Sequence, residues 1–354
     1  MTAAARLKRG MDDSLARTAV PALLLAVIAS ILLATWAESA SAIRPLGPAW
    51  QRGAIIPPDT NTYSSQRSDN AIAALQAAGG THVNLYVEWF MRNSNASALR
   101  STERTATDRS LLHAMSTARA KGMASVLTLV VRSRDGTWQA LINPRDRDRW
   151  FASYRRMAKH YAALARRGGA QMMVIGAELE SMIGYTSKWR KIIRLIRARF
   201  PGRLTYSSNQ VDGARRVAFW PQLDYVGMAG YMPLARGRNP SVRRLVRTWK
   251  DRGYVRAARR LHQRYRKPVV FTEVGYGSWK GTAARPPASV DGPISQVPQQ
   301  RAYEALYRVW SQYDWFHGLY WWRWDAARPD PRDGSHNPRG KRAERTMRAW
   351  NTAR

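Results

Sequence analysis

The sequence lacks cysteine entirely among its 354 residues. Disulfide scaffolds, thiolate metal sites and cysteine nucleophiles are therefore excluded. The six histidines show no spacing typical of metal ligands, so the sequence predicts neither a metal centre nor another cofactor. Disorder is excluded too, because 45% of the residues are hydrophobic and the chain holds 15 Trp and 15 Tyr.

Acidic residues are scarce: 24 Asp and Glu face 58 Lys and Arg, which leaves a net charge of +34. Such an excess first suggests a polyanionic partner. The basic residues are spread through segments with helical periodicity, however, and the chain contains no nucleic-acid recognition module. We therefore expect no nucleic-acid partner. We interpret the charge as basic outer faces of helices, which could contact an anionic cell envelope.

The sequence predicts an export signal in the N-terminal segment. An apolar run covers residues 18–37, about the length that a helix needs to cross a bilayer. Ala40-Ser41-Ala42 offers a small-residue cleavage site directly after it. A cleaved signal peptide and an uncleaved membrane anchor both remain open for residues 1–43. Four basic residues precede the run: Arg6, Lys8, Arg9 and Arg17. Because such a positive flank stays in the cytoplasm, both interpretations place residues 44–354 outside it. The domain would then be periplasmic, secreted or anchored to the membrane.

Beyond this segment, apolar β-rich runs alternate with amphipathic helical runs, such as those at 150–167, 188–200 and 242–266. Near-continuous apolar runs are typical of parallel strands covered on their outer face. The fifth connection, through Phe219 and Trp220, is short and predicts no full helix. The eight predicted strands cover residues 53–56, 82–90, 124–131, 172–178, 204–209, 225–231, 268–276 and 317–324.

Eight such units in one chain predict an α/β fold, a single (β/α)₈ barrel over residues 44–354. The alternative is a doubly wound sheet, which should open with a glycine-rich phosphate turn. Here the first strand is followed by Pro57-Pro58-Asp59 instead, so the barrel is favoured.

Two glutamates end strands of this predicted barrel, where barrel enzymes place their chemistry: Glu178 ends strand four and Glu273 ends strand seven. Two facing carboxylates suit hydrolysis of a glycosidic bond, since one can donate a proton while the other stays ionised. We expect a separation of roughly 5–5.5 Å, the retaining geometry. The alternative is that either glutamate merely pairs with a nearby arginine.

Further polar and aromatic residues near strand ends are candidates for substrate contact. Strict alternation in strand eight would turn Trp322 and Trp324 to the same side as Tyr320, toward the sugar, and Trp321 toward the helices. Tyr231 could hydrogen-bond a carboxylate and hold it ionised. The remaining candidates are Asn209 after strand five, Glu88 and Trp89 near the end of strand two, and Asp325 after strand eight.

At these residues the chain resembles glycoside hydrolase family 113, the clan A (β/α)₈ enzymes typified by β-1,4-mannanases. The resemblance covers about residues 50–350 and is carried by IGAEL at 175–179, LDYVG at 223–227, FTEVGY at 271–276, WFASY at 150–154 and the strand at 318–325. It implies a retaining β-glycoside hydrolase with Glu178 as acid/base and Glu273 as nucleophile. It also implies Tyr231 as the partner of the nucleophile, and Trp322 or Trp324 at the subsite of the attacked sugar.

The chain departs from the family pattern in three ways. Ala177 stands where the family usually has Thr, residues 277–298 are rich in Pro, Ala and Gly, and the basic excess is unusual. Two alternative functions therefore stay open. One is a hydrolase of an anionic envelope polysaccharide or exopolysaccharide. The other is a non-catalytic glycan-binding barrel, with the two glutamates far apart or the mouth plugged. A hydrolase of an anionic polysaccharide would bind its substrate with basic residues of the predicted loops: Arg92, Arg100, Arg104, Arg132, Arg134, Arg236, Arg238, Lys280, Arg328 and Arg332.

Overall fold

The computed structural model describes residues 43–58 and 62–353. The proposed signal or anchor segment, residues 1–43, lies outside this range except for its last residue. Within the described residues, no helix combines the length and the apolar character that crossing a membrane requires.

Eight parallel strands form the centre of the fold. Each strand pairs with the next along the chain, and β1 pairs with both β2 and β8, which closes the sheet into a barrel. The predicted (β/α)₈ barrel is therefore confirmed, and the doubly wound sheet is excluded. The strands are β1 Gln51–Ile56, β2 His82–Met91, β3 Ala124–Ser133, β4 Met172–Ala177, β5 Arg203–Ser208, β6 Val226–Ala229, β7 Val269–Val274 and β8 Phe316–Trp321.

Helices connect the strands on the outside. The fifth connection holds only a seven-residue helix and one 3₁₀ turn, as the sequence predicted. The single helix expected over 242–266 was wrong, because Gly253 adopts a left-handed φ of +74° and divides it in two. The helices are α1 Gln66–Ala77, α2 Asp108–Ala120, α3 Arg147–Gly168, α4 Thr186–Arg197, α5 Gln210–Arg216, α6 Val242–Asp251, α7 Tyr254–Tyr265, α8 Gln296–Trp310 and α9 Arg342–Thr352.

The amphipathic pattern of the helices separates core from charge. In α4 the side chains of Trp189, Ile192 and Ile196 are fully buried, whereas Arg190 and Arg194 are exposed. Such burial of apolar side chains stabilises the fold by about 25 cal/mol for each Å² removed from water. Much of the positive charge therefore lies on outer helix faces, as the sequence predicts.

The end of β8 corrects one prediction about aromatic side chains. Trp321 stacks on Tyr303 of α8 with ring centroids 3.5 Å apart, so it packs outward as expected. Tyr320 points into the barrel core, where its hydroxyl donates to Gln51. Trp324 does not share the mouth with Trp322: it is fully buried, and its indole donates to the carbonyl of Ala71. The reason is that β8 ends at Trp321, so alternation no longer governs the residues that follow.

Candidate active site

A cleft of about 470 Å³ opens at the carboxyl ends of the strands, where both predicted glutamates line it. The loops after β3, β4, β5 and β6 form much of its wall. The residues that line it are Tyr86, Val130, Arg132, Trp138, Gln139, Ala177, Glu178, Asn209, Gln210, Tyr231, Glu273, Pro287 and Trp322.

Glu178 is held in an unusual backbone conformation directly after β4. Its φ is +50°, in the left-handed region that residues other than glycine seldom adopt. Its amide donates to the Ser207 carbonyl at 2.7 Å, and the following amide donates to the hydroxyl of Tyr206. Neighbouring β5 therefore fixes the turn that aims the carboxylate into the cleft.

The surroundings of Glu178 favour its protonated form. Burial and the nearby charge of Glu273 raise the pKa of Glu178 to about 7. The indole Nε1 of Trp138 donates to Glu178 Oε2 at 3.0 Å, which acts in the opposite direction, and Gln139 Nε2 donates to the same oxygen at 3.3 Å. At neutral pH, much of the Glu178 population consequently carries a proton that it can donate.

Glu273 lies in β7 between two tyrosine hydroxyls. Tyr231 donates to Oε1 at 2.7 Å, and Tyr86 donates to Oε2. Burial raises the pKa of Glu273, while both hydroxyls and the guanidinium of Arg132 act against that rise. Hydrogen bonds from donors to both oxygens favour the ionised carboxylate. Of the two glutamates, Glu273 is thus equipped to carry the negative charge.

Glu88 is linked to the cleft only indirectly, through a hydrogen bond to Arg132. Its Oε1 accepts a hydrogen bond from Arg132 Nε at 2.7 Å, and Arg132 lines the cleft whereas Glu88 does not. Because the pair lies on adjacent strands, β2 and β3, Glu88 fixes the direction of a cation that lies near Glu273. Glu88, predicted to contact substrate, therefore lies behind the cleft wall and contacts Arg132 instead.

Only some of the other residues predicted to contact substrate line the cleft. Asn209 and Trp322 line the cleft, and the Trp322 ring lies 5.8 Å from that of Tyr86. Trp89 lies elsewhere: its indole donates to Tyr161 of α3 at 3.1 Å, so its predicted place in the cleft was wrong. Asp325 pairs with Arg323.

Sequence reasoning missed Tyr86 and Trp138. Tyr86 is a buried residue in the middle of a long apolar strand, which made it look like core. The one available signal was its position two residues before Glu88, which turns both side chains to the same face of the strand. Trp138 lies in the loop after β3, outside any strand, and is 43% exposed. Neither alternation nor a strand end could therefore single it out.

The proline-rich stretch 277–298 contributes Pro287 to the cleft lining and is anchored at several points. The Trp279 side chain is fully buried, and the amide of Lys280 donates to the carbonyl of Pro293 at 2.8 Å. Ser278 accepts a hydrogen bond from the buried ammonium of Lys341 at 2.9 Å. These contacts hold the loop whose Pro287 reaches the cleft.

The chain matches Glycoside Hydrolase Family 113 over residues 56–339. Because this match spans well over half of the sequence, the chain belongs to that family. It is accordingly a glycoside hydrolase, an enzyme for which an oligosaccharide or polysaccharide is the expected kind of substrate.

Solved structures of similar fold include two mannanases. One is a complex structure of a family 113 β-1,4-mannanase, with a TM-score of 0.78 and 24% identity, covering 86% of this chain and 99% of that chain. The second is the β-mannanase AaManA from Alicyclobacillus acidocaldarius in complex with ManMIm, with a TM-score of 0.78 and 26% identity, covering 86% and 97%.

A more distant similarity links the chain to a β-glucuronidase from Ruminococcus gnavus in complex with D-glucuronic acid. Here the TM-score is 0.57 and the identity 12%, covering 84% of this chain and 48% of that chain, so the likeness concerns the fold alone. No curated protein sequence matches.

Proposed function

We propose that the protein is a retaining β-glycoside hydrolase of mannanase type, with Glu178 as acid/base and Glu273 as nucleophile. The observation that carries this proposal is the contrast between two carboxyls in one cleft. Burial raises the pKa of both carboxyls; at Glu178 the neighbouring charge of Glu273 adds to that rise, whereas at Glu273 two hydroxyl donors and the Arg132 guanidinium oppose it. The β-1,4-mannanase activity of the structurally similar enzymes supports a β-linked mannan-type substrate.

In the first step, Glu273 attacks the anomeric carbon while Glu178 donates its proton to the leaving oxygen. A covalent glycosyl-enzyme forms on Glu273, and the leaving sugar departs as a neutral alcohol. In the second step, Glu178 removes a proton from water, which attacks the anomeric carbon and releases Glu273 as a carboxylate. Each step inverts the anomeric carbon, so the product keeps the β configuration.

The coupling between the two carboxyls suits this exchange of roles. Charge on Glu273 raises the pKa of Glu178 before the reaction. Once Glu273 is esterified to the sugar that charge is gone, so the pKa of Glu178 falls and the ionised form becomes available as a base. Tyr231 and Tyr86 stay neutral donors, because burial raises their pKa values well above the ordinary range.

The contrasting hypothesis of a non-catalytic barrel requires separated glutamates or a plugged mouth. Both glutamates instead line one open cleft and interact electrostatically, which supports catalysis.

The test is hydrolysis of β-1,4-mannohexaose by the full chain and by Glu178→Gln and Glu273→Gln. We expect each substitution to lower kcat by at least about 1,000-fold, since each removes a group that acts in the transition state. Asp251→Asn, which changes an exposed carboxylate at the end of α6, serves as the control and should stay within about twofold of the parent. Near-full activity in either glutamine variant would remove that residue from the mechanism.

A further inference from the structure

A second cleft, of about 480 Å³, opens beside the carboxyl ends of β2 and β3 and is lined by five arginines. The loop after β2 and the two-residue strand Leu99–Arg100, which pairs antiparallel with the end of β2, contribute two of them. The loop after β3 and the start of α3 contribute the others. We name this set the arginine cleft: Arg92, Arg100, Arg134, Arg145 and Arg149.

The five guanidinium groups are available to a ligand. All five residues are exposed. Arg134 approaches Glu103 at 3.5 Å, an exposed pair of little strength. None of the other four forms an ion pair with a carboxylate in residues 43–58 and 62–353. Apart from the Arg134–Glu103 contact, the positive charge of the cleft is therefore not compensated by ion pairs within the described residues.

The acidic residues nearby organise the loops instead of neutralising the arginines. Asp135 accepts hydrogen bonds from the amides of Ser94 and Thr137, at 2.8 and 3.0 Å, and from the hydroxyl of Ser133. Asp146 caps α3 by accepting from the backbone amide of Arg149 at 2.9 Å. These contacts fix the backbone from which the guanidinium groups project.

The arginine cleft and the catalytic cleft share one loop. Arg134 lines the former, and Trp138 and Gln139, four and five residues later, line the latter. Trp138 is exposed and donates to Glu178. A glycan that leaves the catalytic cleft over Trp138 would therefore continue toward the arginines.

We propose that the arginine cleft binds a carboxylate substituent of an acidic β-linked glycan whose scissile bond lies between Glu178 and Glu273. The inference rests on the proposed hydrolase function and narrows its substrate to a carboxylated polysaccharide. Arginine suits this role, because its planar guanidinium pairs with a carboxylate through two parallel hydrogen bonds. A neutral mannan would offer these five cations hydroxyl acceptors but no anionic partner.

The lining of the cleft favours a glycan over single-stranded nucleic acid. Binding of single strands combines a basic groove with aromatic side chains on which bases stack. Among the described residues, the one aromatic side chain lining the arginine cleft is Phe90, which is buried and has the guanidinium of Arg104 over its ring at 5.4 Å. The cleft therefore presents charge and hydrogen-bond donors without a stacking surface.

The test is binding to the full chain carrying Glu273→Gln, which keeps both clefts but should not turn over ligand. The ligands are β-1,4-mannohexaose and the same oligosaccharide oxidised to carboxylates at C6. We expect about tenfold tighter binding of the carboxylated form at low salt and a smaller preference at high salt. Arg145→Gln/Arg149→Gln should abolish the preference without weakening the neutral ligand. Arg190→Gln/Arg194→Gln, which removes the same charge from the outer face of α4, should keep it.

Three results would overturn the proposal: equal affinity for the two oligosaccharides, a preference that survives in the cleft variant, or an equal loss in the α4 variant. Binding of a single-stranded oligothymidylate is a further control. If it binds as tightly as the carboxylated glycan and its affinity falls as much in the cleft variant, the proposal is overturned in favour of a general polyanion site. Hydrolysis of neutral mannohexaose by the parent chain is scored separately. Hydrolysis of the carboxylated oligosaccharide by the parent chain is scored in the same way, and cleavage of neither ligand alongside an intact carboxylate preference would reject the catalytic proposal and leave the cleft assignment standing.

Discussion

At the scale of single residues, function depends on how the surroundings separate two chemically identical side chains. Glu178 and Glu273 share one cleft, yet Glu178 accepts hydrogen bonds from an indole and an amide on one oxygen, whereas Glu273 accepts one from a hydroxyl on each oxygen and lies near a cation. The positions of both glutamates could be predicted from sequence, because each ends an apolar strand. Their partners Tyr86 and Trp138 could not, since one resembles core and the other lies in a loop.

The pH dependence follows from the pKa of Glu178, which is raised to about 7. The acid is competent below that value, so kcat/KM should fall as pH rises through about 7. Trp138→Phe removes a hydrogen bond that lowers this pKa and should move the alkaline limb to higher pH. A pH profile of kcat/KM on mannohexaose measures both. An alkaline limb that stays in place or moves to lower pH in the variant would contradict the assignment.

The hydroxyl of Tyr231 is expected to act on Glu273 alone. Tyr231→Phe removes a donor to a charged oxygen, worth about 1.5–3 kcal/mol, so kcat should fall roughly 10- to 100-fold with little change in KM. The control is Tyr265→Phe on the outer helix α7, which should leave kcat unchanged. Unaltered kcat in Tyr231→Phe would show that this hydrogen bond does not support the nucleophile.

At the scale of elements, strand order and helix faces followed from hydrophobic periodicity, and two of the three failures lie where a regular element stops. The helix over 242–266 is divided at Gly253, whose left-handed backbone no periodicity reveals. Alternation was extended beyond Trp321 to Trp324, although the strand ends there. Trp89 projects from its strand toward helix α3 instead of the cleft.

The two tryptophans after β8 give a direct comparison at this scale. Trp324→Ala removes a fully buried indole and should lower the free energy of unfolding by about 3–5 kcal/mol, with KM unchanged in the folded fraction. Trp322→Ala, in the cleft wall, should raise KM with a smaller loss of stability. Denaturant titration and steady-state kinetics on the same preparations separate the two effects. The reverse pattern would return Trp324 to the substrate site.

At the scale of the whole molecule, the excess of basic over acidic residues has one consequence on the outer helices and another in the loops. Much of the net charge of +34 lies on outer helix faces such as that of α4, as the sequence suggested. Five arginines, however, converge in one cleft on loops around β2 and β3. Loop charges were recognised as candidates, but Arg145 and Arg149 were not among them. Their convergence depends on loop conformations that residue order does not reveal.

Export of the chain remains a proposal drawn from its first 43 residues. Fusing residues 1–43 to a phosphatase that is active only outside the cytoplasm should give active enzyme in intact cells. A matched fusion in which the apolar run 18–37 is replaced by polar residues should be inactive. Equal activity of the two fusions would reject this segment as the export signal.

The central claim is a double displacement through Glu273, and the stereochemistry of the first product tests it most directly. Proton NMR during hydrolysis of β-1,4-mannohexaose resolves the anomeric proton of the newly formed reducing end before it mutarotates. We expect the β anomer to appear first and the α anomer to follow at the rate of spontaneous mutarotation. Initial release of the α anomer would contradict the covalent intermediate and require water to attack directly.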